Sequence, residues 1–235
     1  MEGEKSMSSN NYSRINEIIV EKHPKSPISE SFRSIRTSLN YISPDNPLKS
    51  ILITSSKESE GKSLITANLA TTIAQNNKKV IIIDTDMRKP MQHKLFEMTN
   101  FSGLSNILMN EISFEEGLRN THIKNVKLIS TGTIPPNPSE LLDSKSMENV
   151  IEKAKEIADF VLIDSPPVVP VTDSTLLSKK TDGVLLVVAS HETENEILKK
   201  AVEKLKFVKA NIIGTILNKY PINKNSYYDK YYYYR

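Results

Sequence analysis

The sequence predicts an α/β fold, a doubly wound and mostly parallel sheet with helices on both faces. Six short runs rich in Ile and Val lie at residues 50–54, 80–84, 127–130, 160–164, 183–190 and 211–218. Most are apolar at odd and even positions alike, as strands covered on both faces must be. Helical segments fill the gaps, at 62–75, 103–109, 146–157, 172–179 and 193–208. Strand–helix alternation of this kind builds a three-layer domain. At 235 residues the chain suits one such domain and is short for two.

Taken in order, residues 1–27 are polar and irregular, and Pro24 and Pro27 discourage helix. From Ile28 to Tyr41 the pattern turns helical, with Ser29 as the expected N-cap and Ile28, Phe32, Ile35 and Leu39 on one stripe. Ser43-Pro44-Asp45-Asn46-Pro47 then interrupts the chain before the first strand. Residues 1–47 therefore read as an N-terminal extension carrying one helix (about 28–41), and 48–220 as the α/β domain. The pattern stops after Pro221, and 221–235 reads as a flexible tail. That tail holds six of the nine tyrosines: Tyr227, Tyr228, Tyr231, Tyr232, Tyr233 and Tyr234. Such a run has no apolar face to pack against, but each phenolic hydroxyl can be esterified if a phosphoryl donor is at hand.

Composition narrows the function. A formal net charge of +3 gives no basis for a nucleic-acid surface, and none is expected. The chain has no cysteine, which excludes disulfides and thiolate metal sites. No apolar run approaches the roughly 20 residues that span a bilayer, and the polar start MEGEKSMSSN lacks a signal-peptide core. A cytoplasmic protein is expected, brought to the inner face of the plasma membrane only through a partner.

The first strand is followed by Ser56-Lys57-Glu58-Ser59-Glu60-Gly61-Lys62-Ser63, and Leu64 continues into a helix. Gly61, Lys62 and Ser63 fit the P-loop template, with Ser56 in place of its first glycine. Backbone N–H groups and the helix N-terminus would cradle phosphate oxygens. Lys62 would neutralise the β- and γ-phosphates, and the Ser63 hydroxyl would bind Mg²⁺. An ordinary helix start with a solvated lysine would also give Gly-Lys-Ser. The strands ending at Asp84-Thr85-Asp86 and at Asp164 shift the balance, because they deliver Asp84, Asp86 and Asp164 to the same sheet edge. A lone aspartate there is usually a cap or turn residue. Nucleotide-bound Mg²⁺ takes only one or two carboxylates, so Ser63, Asp84 and Asp164 serve as metal candidates and a spare aspartate is left to activate an attacking hydroxyl.

At this point the residues resemble the bacterial tyrosine kinases that regulate capsule and exopolysaccharide synthesis, and the resemblance covers essentially the whole chain. The run from Thr54 to Ser63 resembles their Walker A segment. Asp84-Thr85-Asp86-Met87-Arg88-Lys89-Pro90 resembles their second Walker motif, and Ile163-Asp164-Ser165-Pro166-Pro167 their Walker B. Pro135-Pro136-Asn137-Pro138-Ser139-Glu140-Leu141-Leu142 and the tyrosine tail match further family segments. The resemblance implies a P-loop NTPase fold of the ParA/MinD kind and an ATP- and Mg²⁺-dependent tyrosine autokinase. Lys62, Asp84, Asp86 and Asp164 would be catalytic. Ser59, Glu60, Gly61, Lys62, Ser63, Leu64 and Asn218 would contact ATP.

It also implies that Glu30, Arg33 and Arg36, in a Glu-x-x-Arg-x-x-Arg pattern, form a subunit contact in a homo-oligomeric ring, with an octamer as one candidate size. A solvated helix face would give the same pattern. The implied partners are the cytoplasmic end of a transmembrane activator, or polysaccharide co-polymerase, and a cognate tyrosine phosphatase. One departure stands out: the family usually has Pro-Gly where this chain has Glu58-Ser59, which predicts weaker nucleotide binding. Two other readings share the fold. Lys57 sits at the spacing of the second P-loop lysine of ParA/MinD-like ATPases, although a solvated lysine explains it as well. A catalytically weak nucleotide-binding scaffold is the third reading.

Overall fold

The computed structural model describes residues 17–42 and 47–221; the tyrosine cluster and residues 43–46 lie outside the described residues. Among the described residues there are seven strands: β1 (Ser50–Ser55), β2 (Val80–Asp84), β3 (Arg119–Asn120), β4 (Val126–Ile129), β5 (Phe160–Asp164), β6 (Gly183–Ala189) and β7 (Ile212–Asn218). They form one sheet in the order β3-β4-β2-β5-β1-β6-β7. Every neighbouring pair is parallel except β3 with β4. The α/β, mostly parallel fold is therefore as the sequence predicts. β3 was not anticipated, because two polar residues carry no strand pattern.

Alternate residues of each central strand serve opposite layers. Leu52, Ile83, Ile163 and Leu186 pack with Val150 and Ile151 of α8 (Lys145–Ile157) and with Ala201 and Leu205 of α10 (Asn195–Phe207). Ile51, Ile53, Ile82, Leu162 and Val187 pack on the other face against α3 (Lys62–Ala74). The small residues Ala67, Ala70 and Ala74 let α3 lie close to the sheet, and α3 is itself covered by α2 (Pro27–Ile42). It is buried nearly all round, with 11 of its 13 residues buried. That is why the sequence shows no amphipathic stripe there.

The start of α2 differs from expectation. Pro27 is its first helical residue, where a missing N–H and a fixed φ are harmless. Ser26 is the capping residue, its hydroxyl accepting the Ser29 N–H at 3.2 Å. Ser29 lies inside the helix, buried, and donates to the His23 carbonyl at 2.7 Å. Phe32 and Leu39 are buried and Ile35 packs beside them, whereas Ile28 is 41 % exposed and leaves the stripe. Short helices also missed by periodicity are α1 (Ile19–Lys22), α4 (Gln92–Leu95), α6 (Phe114–Gly117) and α7 (Pro138–Asp143). The expected helices at 103–109 and 172–179 are present as α5 (Leu104–Leu108) and α9 (Asp173–Ser178).

Candidate active site

The loop between β1 and α3 is held open by its own backbone. Ser59 has φ +64° and Gly61 φ +90°. A Cβ at position 61 would collide with the Asn218 amide, which donates to the Glu60 carbonyl at 2.8 Å. Asn218 ends β7, so the last strand braces the loop. The buried Glu60 side chain braces it from within. Its Oε2 accepts from the Ser56 hydroxyl at 2.8 Å and the Lys57 N–H at 2.9 Å. Its Oε1 accepts from the Ala189 N–H at 3.2 Å and from the Thr193 hydroxyl. Of the expected ATP contacts, Glu60 therefore offers only its backbone. Lys62, Ser63 and Leu64 form the first turn of α3, whose N–H groups have no intrahelical acceptor and whose dipole favours anions.

The carboxylates meet beside this turn. Asp84 and Asp164 are register partners in the parallel strands β2 and β5, and both are fully buried. The chain after β2 folds back onto Asp84: its Oδ1 accepts from the Asp86 N–H at 3.2 Å, and its Oδ2 from Met91 and Gln92 N–H at 3.2 and 3.0 Å. Asp164 Oδ2 accepts from the Gln92 side-chain amide at 2.8 Å, while its Oδ1 has no hydrogen-bond partner. Asp86 accepts from Lys62 Nζ at 2.8 Å through Oδ2 and from the Lys89 N–H at 3.0 Å through Oδ1. Lys62 Nζ also lies 3.9 Å from Asp164 Oδ1 and 3.3 Å from the Ser63 hydroxyl. The structure thus gathers Lys62, Ser63, Asp84, Asp86 and Asp164 in one place.

The electrostatics follow from that crowding. Burial, then the neighbouring Asp164 charge, pushes the Asp84 carboxyl up to about 8. Burial raises Asp164 as well, against the pull of the Lys62 cation. For Lys62, burial favours the neutral amine, but the charges of Asp164 and Asp86 outweigh it and its pKa is raised. Among the described residues no three acidic or imidazole groups could hold a metal by themselves. A nucleotide-borne Mg²⁺ needs less, since phosphates and waters supply most of its shell. The hard oxygens of Ser63 and of Asp164 Oδ1, which accepts no hydrogen bond, suit it. Both Asp84 oxygens are already engaged, which suits contact through water.

Outside this cluster, the Glu58 carboxylate pairs with Lys89 at 2.5 Å, and the Lys57 amine donates to the Glu192 carbonyl at 2.6 Å. Arg88 Nε bonds Asp173 at 3.2 Å, and the Ser139 hydroxyl bonds the same carboxylate at 2.6 Å. The 135–142 segment is thereby tied to the loop after Asp86. Glu30, Arg33 and Arg36 are not brought to the site. Arg33 pairs with Glu30 at 2.5 Å and also reaches the Pro24 carbonyl. Arg36 donates to the Thr72 carbonyl at 3.0 Å, near the far end of α3. At 1.5 Å per residue that end is about 15 Å from Lys62. Gln92 had no sequence signal: its place depends on the fold-back around Asp84, which no spacing rule encodes.

A strand–loop–helix phosphate cradle beside edge aspartates on a parallel sheet defines a P-loop NTPase, and the comparisons agree. The family model described as "ParA: NUBPL iron-transfer P-loop NTPase" matches residues 47–234. The septum site-determining protein MinD of Pyrococcus horikoshii OT3, solved with Mg-ADP, is 25 % identical with a TM-score of 0.63, over 73 % of this chain and 70 % of that one. Within the class, the tyrosine-protein kinase YwqD of Bacillus subtilis is 40 % identical over 214 residues, 91 % of this chain and 90 % of that protein. The kinase domain of Escherichia coli tyrosine kinase ETK is 30 % identical with a TM-score of 0.84, covering 89 % of this chain and 84 % of that one. The chimerical protein CapA2B2 reaches 42 % and 0.84, over 87 % and 90 % of the two chains. The chain belongs to the bacterial tyrosine kinases of capsule and exopolysaccharide synthesis.

Proposed function

We propose that the chain is an ATP-dependent tyrosine autokinase whose acceptors are Tyr227, Tyr228 and Tyr231 to Tyr234 of a neighbouring subunit. The observation that carries this reading is the contact of Lys62 with Asp86 beside the P-loop turn. Phosphate oxygens compete for the Lys62 amine, and as Lys62 turns to them Asp86 loses its partner and becomes free to accept a proton. A phenol, with a pKa near 10, needs such a base at neutral pH. The phenolic proton passes to the Asp86 carboxylate, the tyrosine oxygen forms its bond to the γ-phosphorus, and the bond to the β-phosphate oxygen breaks to release ADP. Ser63 and Asp164 would hold the Mg²⁺, which neutralises phosphate charge when bound. Asp84, directly or through water, orients that set. Positioning and charge neutralisation carry most of the rate.

In this reading, Glu30, Arg33 and Arg36 contribute to a ring of subunits, up to an octamer, in which one tail enters the next site. Several phosphotyrosines, each with about −1.5 to −2 charges, then repel one another and open the ring. Among the described residues no helix is long and apolar enough to cross a membrane. The cytoplasmic end of a transmembrane activator or polysaccharide co-polymerase would hold the kinase at the inner membrane face, and a tyrosine phosphatase would reset it. The residues of the site and the division into extension, kinase domain and tail belong to the same proposal.

Incubation with ATP and Mg²⁺ followed by phosphotyrosine detection tests it. Wild type should label itself, while Lys62→Met and a chain ending at Pro221 should not, and the shortened chain should still bind nucleotide. ATP hydrolysis without tyrosine label would favour a ParA/MinD-like ATPase, for which Lys57 is the suggestive residue. Neither product would favour a nucleotide-binding scaffold.

A further inference from the structure

Gln92 is the first residue of α4 and is fully buried. Its backbone N–H donates to Asp84 Oδ2 at 3.0 Å. Its side-chain amide donates to Asp164 Oδ2 at 2.8 Å and to the Ser63 carbonyl at 2.9 Å. One residue thus joins the ends of β2 and β5 to the first turn of α3. The Ser63 carbonyl can only accept, so the NH₂ group must face it and Oε1 must face away. That Oε1 has no hydrogen-bond partner, and neither has Asp164 Oδ1, which faces the Lys62 amine only at 3.9 Å. Buried oxygens left unpaired are costly unless a cation or water meets them.

We propose that Gln92 is a positioning residue for the phosphoryl-transfer site: by holding Asp164 Oδ2 and the Ser63 carbonyl, it presents Asp164 Oδ1 and the Ser63 hydroxyl to nucleotide-borne Mg²⁺. Without it the Asp164 carboxylate can rotate, and the first turn of α3 loses its tie to β5. The residue is fully buried and its amide hydrogens are taken by Asp164 and the Ser63 carbonyl, so it offers no donor to a phosphate. Its loss therefore acts on the cation far more than on the nucleotide. Partners of this kind, one shell out from a metal, typically change metal affinity or activity about 10- to 100-fold.

The inference rests on the nucleotide–Mg²⁺ reading of the site, and the experiment separates the two. Binding of a fluorescent ADP analogue is titrated with and without Mg²⁺ on wild type, Gln92→Met and Gln92→Glu, after melting curves establish that each is folded. If wild type shows no Mg²⁺-dependent gain in affinity, the reading of the site fails. Given that gain, Gln92→Met should raise the half-saturating Mg²⁺ concentration about tenfold or more while Mg²⁺-free affinity stays within about twofold of wild type. Gln92→Glu, which sets an acceptor against Asp164, should be worse. A wild-type Mg²⁺ response in a folded Gln92→Met protein overturns the inference, as does an equal loss of Mg²⁺-free and Mg²⁺-dependent binding. If Gln92→Met does not fold, the same two results are read from Gln92→Glu.

Discussion

Ser59 occupies a backbone position that suits glycine, with φ +64°. A non-glycine residue held there costs on the order of 1 kcal/mol, partly offset because glycine loses more entropy on folding. The strain is present before any nucleotide arrives. Ser59→Gly should therefore raise the melting temperature by a few degrees, equivalent to about 0.5–1 kcal/mol. Removing the Cβ should also tighten nucleotide binding, and equal affinities in a titration would reject that second expectation. Glu58, expected to repel phosphate, instead faces the Lys89 amine. Both side chains are more than half exposed, so the pair adds little stability, but it partly cancels the charge the phosphates would meet.

Among the elements, α2 is tied to α3 by a polar contact as well as by its buried Phe32 and Leu39. Its Arg36 reaches across to the Thr72 carbonyl, one of the acceptors that the last turn of α3 leaves unsatisfied. Arg36→Ala should lower stability by about 1.5–3 kcal/mol, the range for hydrogen bonds to charged groups, read from a denaturant midpoint in dilute protein. No change there would leave Arg36 free for a subunit contact alone. The same scale explains what the sequence could and could not convey. The six long strands are legible because both faces of each are covered, so apolar residues run without a break. The P-loop and the three aspartates are legible because strand ends on a parallel sheet converge at one edge. Arg119–Asn120 and the short helices α1, α4, α6 and α7 are not, since each is too brief to repeat an apolar period, whereas α5 and α9 lie inside longer helical runs at 103–109 and 172–179. Pro27 looks like a helix breaker until the fold places it at the one helical position that tolerates it. Gln92 stays hidden because its three contacts lie 8, 29 and 72 residues away in the chain.

For the whole molecule, the paired strand-end carboxylates make stability fall as pH rises, while His93, held below its ordinary value by burial, opposes them at the acid end of the window. Asp84 titrates near 8 when folded, against 3.8 for the ordinary group, so the folded state keeps a proton that the unfolded chain has released. That contribution is complete below about pH 4 and is lost as pH climbs towards 8; Asp164 acts in the same direction. Lys62 is shifted upwards from 10.5 and contributes nothing to this window. Nucleotide-free protein should lose stability from pH 5 to pH 8, by at most about 1.4 kcal/mol per pH unit for each proton. Asp84→Asn should flatten the slope, whatever its effect on absolute stability, and parallel denaturant midpoints for the two proteins would rule this out. A different consequence follows from the Asn218 brace. Because the last described strand ends against the P-loop, the described chain leaves the sheet close to Gly61. Tyr227 is nine residues beyond Asn218, a span of about 30 Å at full stretch. Short flexible tethers give effective concentrations in the millimolar range. If, as proposed, the tail of one subunit enters the next site of a ring, assembly would hold it there at such levels, and a foreign substrate would have to match them to compete.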